Sequence, residues 1–290
     1  MFFGSIPALV TPFAAGRVDE AIFRDFVDWQ INEGSNALVP CGTTGETPTL
    51  TNVEQHRLFE VTVEVARGRV PVIAGCGSND TATAIAHMKA AAAAGADAAL
   101  VVIPYYNKPS QAGILAHFRA LVEASDLPIV VYNVPGRTVA SIDVATLGDV
   151  SKLASVVGIK DATGDLGRVT AQRLAAGEEF CQLSGNDETA LAFNAMGGVG
   201  CISVTANVAP RLCADFQEAT REGRWNDALA LQDRLYPLHM AMFADSSPGP
   251  CKYALSKLRG YPLELRLPLV GPSDAAKAAV DAALAHAGLI

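Results

Sequence analysis

A lysine, a tyrosine, an arginine and a threonine pair in this chain could together perform amine chemistry on a carbonyl. Lys160 ends the apolar run "SVVGIK" (155–160) and is followed by "DATG". Neighbours such as Val156, Val157 and Ile159 would strip water from its ammonium form. A lysine so placed is either a strand-end surface residue or an amine tuned for covalent attack. A neutral amine attacks a ketone, and the protonated imine then acts as an electron sink for the adjacent carbon. Deprotonation gives an enamine able to attack an aldehyde, and each step needs a proton carrier. Tyr132, Thr43 and Tyr106 could form such a hydroxyl relay. Arg137, in "YNVPGRT" (132–138), offers a planar fork matching a carboxylate. The "GTTG" amides, with the Thr43 and Thr44 hydroxyls, could hold a second one.

Each residue also has a plainer reading. A glycine-flanked threonine pair makes a turn. Tyr105, Tyr106 and Tyr132 could pack and show only their hydroxyls to water, and a loop arginine is ordinarily a solvated charge. Asn107, Lys108 and Pro109 suit a loop better than catalysis. The chemical reading gains force only if one scaffold brings these residues to one rim.

Such a scaffold is legible. Short apolar runs fall at 6–10, 36–41, 70–75, 97–103, 127–133, 155–160, 179–185 and 198–203. Brevity and β-branched content favour strands covered on both faces. Helical segments lie between them: 19–34 with Ile22, Phe26, Val27 and Ile31 on one face, 51–68 opening at Thr51 or Asn52, and alanine-rich 81–96. Strand then helix, about eight times, predicts a (β/α)8 TIM barrel. Beyond residue 205 four helical segments follow without a strand. The first closes a barrel of residues 1–224, and the others form a helical C-terminal extension, 225–290, packed on it. An open doubly wound sheet is the rival, but "ALVTPFAAGRVD" carries no glycine-rich phosphate loop.

In a barrel, functional groups stand at strand C-termini. Those ends hold Thr11, "CGTTGE" (41–46), "PYYNKP" (104–109), "YNVPGRT", Lys160, "SGND" (184–187) with Gly185, and "ISVTAN" (202–207) with Ile202. Histidine is missing from this set, and no Asp, His and Cys cluster suggests a metal.

The bulk composition is that of a globular protein, with 290 residues, 50% hydrophobic and 18% charged. A net charge of −8 argues against a nucleic-acid or anionic-membrane surface, though not against a small anion in a pocket. The six cysteines show no C-x-x-C pair and read as reduced, mostly buried thiols. "MFFGSIPALVTPF" lacks the basic start of a signal peptide, so a cytoplasmic protein is expected.

With these segments in view, the chain resembles the dihydrodipicolinate synthase (4-hydroxy-tetrahydrodipicolinate synthase) family over essentially its whole length. "GTTGE", "PYYNKPSQ", "YNVPGRT", "GIKDATG" and "ISVTAN" occur in that family's order and spacing. The resemblance implies condensation of pyruvate with L-aspartate 4-semialdehyde in lysine and diaminopimelate biosynthesis. It makes Lys160 the Schiff-base lysine and Tyr132 the proton carrier, linked to Thr43 and Tyr106. The tyrosine matching Tyr106 reaches a neighbouring subunit's site, which implies a homotetramer built from tight dimers. Thr44 and the Ile202 backbone would bind pyruvate's carboxylate end, Gly185 counts with the substrate-binding positions, and Arg137 would receive the semialdehyde. No cofactor is implied beyond the imine itself.

The chain departs from the family in two places. "SPGPCK" (247–252) stands where many relatives read "NPIPVK". Gln55 and Thr83 occupy the positions of the histidine and glutamate that bind lysine in inhibited relatives, so weak or absent inhibition is expected. A related pyruvate-imine aldolase, cleaving N-acetylneuraminate or a 2-keto-3-deoxy sugar acid, would share Lys160 and Tyr132. Such aldolases do not usually place an arginine at position 137. A non-catalytic ketoacid sensor would have little reason to keep Lys160, Tyr132, Thr43 and Tyr106 together.

Overall fold

Parallel strands buried on both faces dominate the computed structural model, which describes residues 2–290. The strands are β1 (Gly4–Pro7), β2 (Phe13–Ala14), β3 (Arg17–Val18), β4 (Ile73–Gly75), β5 (Ala98–Val102), β6 (Ile129–Asn133), β7 (Val156–Asp161), β8 (Cys181–Ser184) and β9 (Gly200–Ser203). Seven run in the order β1-β9-β8-β7-β6-β5-β4, and every pairing among them is parallel. The run at 36–41 joins the two edges through the bridges Ala8↔Val39 and Leu38↔Val72. The sheet thereby curls into a (β/α)8 barrel.

That second barrel segment is thinner than its sequence suggests, for a chemical reason. Pro7, Pro40 and Pro71 lie in or beside the joining segments and have no N–H to donate. Their carbonyls still accept, from Val39 at 3.0 Å, Gly75 at 3.0 Å and Leu38 at 2.9 Å. Each seam thus keeps three backbone hydrogen bonds, in a ladder interrupted where a proline has no donor. β1 also begins and ends earlier than the run at 6–10, and the β2–β3 hairpin was not foreseen.

The helices are α1 (Glu20–Asn32), α2 (Asn52–Ala66), α3 (Thr81–Ala94), α4 (Gln111–Ala124), α5 (Pro135–Thr138), α6 (Val144–Val150), α7 (Gly167–Ala176), α8 (Ala190–Ala195), α9 (Pro210–Arg221), α10 (Trp225–Ala241), α11 (Gly249–Arg259) and α12 (Asp274–His286). Thr51 caps α2 through a reciprocal pair with Glu54, as its position before the helix suggested. Apolar side chains fill two spaces. Ile6, Val39, Ile73, Leu100, Val130 and Leu183 pack inside the barrel. Phe23, Phe26, Phe59, Met88 and Phe118 lie between strands and helices. α10 packs on α9 and α12, and α11 on α12. We place the division between barrel and extension at 224/225, between α9 and α10. All six cysteines are free and buried. Among the described residues no helix is long and apolar enough to cross a membrane.

Candidate active site

Parallel register brings the two central groups together. Tyr132 of β6 pairs with Lys160 of β7, which pairs with Leu183 of β8, so all three face the same side of the sheet. Lys160 is 6% exposed, and its Nζ lies 4.3 Å from the Tyr132 ring centroid. It forms no ion pair among the described residues. Gly185 makes room for it. A Cβ there would stand 3.1 Å from Lys160 Cε and 2.6 Å from Ala162 Cβ. Ile202 is fully buried in the barrel interior beside these strands.

Thr43 and Thr44 lie in a 3-10 turn, Thr43–Gly45, directly after the second barrel segment. Thr44 is buried, whereas Thr43 is open to a cavity of about 250 Å³ that Tyr132 also lines. No direct hydrogen bond joins them within one chain. Catalytic contacts are often long before substrate binds. Tyr106 and Arg137 stand apart: Tyr106 is 87% exposed, Arg137 is exposed on α5, and neither lines the cavity. Strain gathers along this rim. Cys41, Glu46, Tyr106, Lys108 and Val139 all take positive φ, which side chains rarely adopt unless their surroundings hold them.

The same cavity extends to Gln55, Ser78, Thr83, His87 and Tyr105, and no carboxylate lines it. Gln55 donates to the Gly75 carbonyl at 2.8 Å, and Thr83 is bound to Asp80 at 2.5 Å. His56 turns to His87, with ring nitrogens 3.2 Å apart. Burial first, and His56 second, hold His87 below the ordinary imidazole range. Among acids close in sequence, Glu46 is engaged by Lys252, Glu54 by Arg266, and Asp80 by the Thr83 amide and hydroxyl.

The sequence reading did not find that Glu46–Lys252 pair. Both side chains are almost fully buried, with Nζ 2.5 Å from Oε1. Each alone reads as an ordinary charge. The only signal was a lysine among the small and apolar residues of "PCKYAL".

Polar groups at the C-terminal ends of parallel strands, around a buried unpaired amine, are the arrangement of a (β/α)8 barrel enzyme. The chain belongs to the dihydrodipicolinate synthetase family, whose model matches residues 1–287. It is 66% identical, over all of both chains, to a 4-hydroxy-tetrahydrodipicolinate synthase of Rhizorhabdus wittichii, and 65% identical to one of Zymomonas mobilis, again over all of both. Among solved structures it is similar to the chloride-inhibited dihydrodipicolinate synthase of Acinetobacter baumannii complexed with pyruvate. That similarity has a TM-score of 0.97, at 40% identity over all of both chains.

Proposed function

We propose that this protein condenses pyruvate with L-aspartate 4-semialdehyde, the 4-hydroxy-tetrahydrodipicolinate synthase reaction, through an imine on Lys160. The observation that carries this reading is the buried, unpaired Lys160 amine lying over Tyr132 in a chain of this family. Lys160 attacks the ketone carbon of pyruvate and water leaves. The imine then loses a methyl proton, and the resulting enamine attacks the aldehyde carbon. Tyr132 carries the protons, with Thr43 beside it in the cavity. The semialdehyde's own amine finally displaces Lys160 from the imine carbon, which closes the ring and frees the enzyme. The protonated imine on Lys160 serves as the electron sink, so the scheme calls for no added cofactor.

Arg137, exposed at the rim, receives the semialdehyde carboxylate. Thr44 and the Ile202 backbone receive the carboxylate end of pyruvate, and Gly185 leaves space for the imine. Tyr106 is too exposed to serve its own chain's cavity. That supports its completing the relay of a second subunit; by its family resemblance we take the assembly to be a homotetramer of tight dimers acting in the cytoplasm. Turnover with pyruvate and the semialdehyde tests the reading. Cleavage of N-acetylneuraminate or a 2-keto-3-deoxy sugar acid, without condensation, would replace it with the related aldolase activity.

A further inference from the structure

Two lysines of the chain are buried, and the reaction above uses only Lys160. The other, Lys252 of α11, is tied to Glu46 across 206 residues of sequence. A buried ion pair is weak evidence for stability, because desolvating both charges offsets their attraction. What such a pair can do is fix geometry, so its attachments matter.

Glu46 follows the Thr43–Gly45 turn directly and caps it with φ +56, its amide donating to the Thr43 carbonyl at 3.1 Å. A non-glycine residue holds that conformation only where its surroundings over-determine it. Here the side chain supplies the hold. Oε1 accepts from Lys252 Nζ at 2.5 Å and Oε2 from the Arg266 amide at 3.1 Å. Lys252 Nζ is fixed in turn by the Glu264 carbonyl at 2.6 Å and by the Phe13 ring, whose centroid is 4.3 Å away. On the other side Thr11 Oγ1 donates to the Gly45 carbonyl at 2.7 Å. The turn bearing both threonines is therefore clamped between the first barrel strand's loop and the C-terminal helical extension.

We propose that Glu46 and Lys252 are positioning residues for the reaction, holding the Thr43–Gly45 turn so that Thr43 and Thr44 meet the substrate. The proposal rests on the roles given to those threonines above. It joins the extension to the chemistry at Lys160 without either charge touching substrate.

Glu46→Gln is nearly isosteric, and its carboxamide oxygen can still accept from Lys252, so the variant is expected to fold. It should lower kcat about tenfold and raise the KM for pyruvate, while saturating pyruvate with borohydride still labels Lys160. Replacing both partners, Glu46→Gln with Lys252→Met, removes both buried charges. The melting temperature should return toward that of the unmodified enzyme while kcat stays low. Recovery of kcat together with melting temperature would show a purely structural pair and overturn the proposal. A cycle with Thr43→Val decides the matter independently, even if the doubly substituted chain does not fold. In that background Glu46→Gln should change kcat less than about twofold, because the Thr43 hydroxyl through which it acts on proton transfer is gone, while its effect on the KM for pyruvate, exerted through Thr44, should persist. An undiminished tenfold loss there overturns the proposal. Failure of borohydride to label Lys160 in the unmodified enzyme would instead sink the underlying reading, a separate and recognisable result.

Discussion

Tyr132 and Arg137 carry different burdens in this account, and substitution should separate them. General acid–base groups contribute typically about 10²- to 10⁴-fold, so Tyr132→Phe should reduce kcat within that range and leave the fold intact. Near-full turnover would remove it from the relay. Arg137 is exposed and lies outside the cavity, so Arg137→Ala should raise the KM for the semialdehyde and spare imine formation with pyruvate. Equal damage to both substrates would make it a structural residue. That Tyr132 lies near both Lys160 and the cavity bearing Thr43 was legible in the sequence, because a barrel gives strand-end residues a common rim. Glu46 and Lys252 were not, because their pairing depends on a contact 206 residues apart, and periodicity carries no information at that range.

At the scale of elements, the apolar runs located the strands, but prolines decided how completely each one paired. Pro40 and Pro71 reduce the second barrel segment to bridges, and no hydrophobic count registers a missing donor. The β2–β3 hairpin had little local signal: Ala15 and Gly16 both take positive φ, as a type I′ loop requires, but alanine is not a residue that marks such a turn. Of the face read on α1, Phe26 and Val27 are buried and Ile22 and Ile31 only partly so, while α4, whose face the sequence reading left unassigned, hides a titratable group. His117 of α4 is buried against Phe118, with Nδ1 2.9 Å from Thr81 Oγ1. Burial lowers its pKa from 6.5 to about 4, opposed in part by Asp80. An unfolded chain thus binds one more proton than the folded chain between these values. Stability should fall as pH drops from 6.5 toward 4, by about 3 kcal/mol at most from this group. Denaturant titrations at pH 7 and 4.5 should show that loss, and His117→Asn should reduce it. An unchanged pH dependence in the variant would contradict the assignment.

At the scale of the whole molecule, one cavity runs from Tyr132 and Thr43 to Gln55, Thr83 and His87. Gln55 and Thr83, expected to stand in place of a lysine-binding histidine and glutamate, both line this cavity, while Glu46 and Glu54 are engaged by Lys252 and Arg266. A charge-assisted hydrogen bond is worth about 1.5–3 kcal/mol, so its loss lowers affinity about ten- to a hundredfold. L-lysine titrated at subsaturating pyruvate should therefore inhibit weakly or not at all. Strong inhibition at micromolar lysine would mean that a carboxylate from another subunit enters the cavity.

The central claim is a covalent one, that pyruvate is held as an imine on Lys160. Pyruvate and borohydride added together, followed by peptide mass analysis, should add one reduced pyruvate to the peptide containing Lys160 and abolish turnover. Lys160→Ala should stay folded and unlabelled. Label on Lys108, Lys152 or Lys252 instead, or none on the unmodified enzyme, would contradict the account.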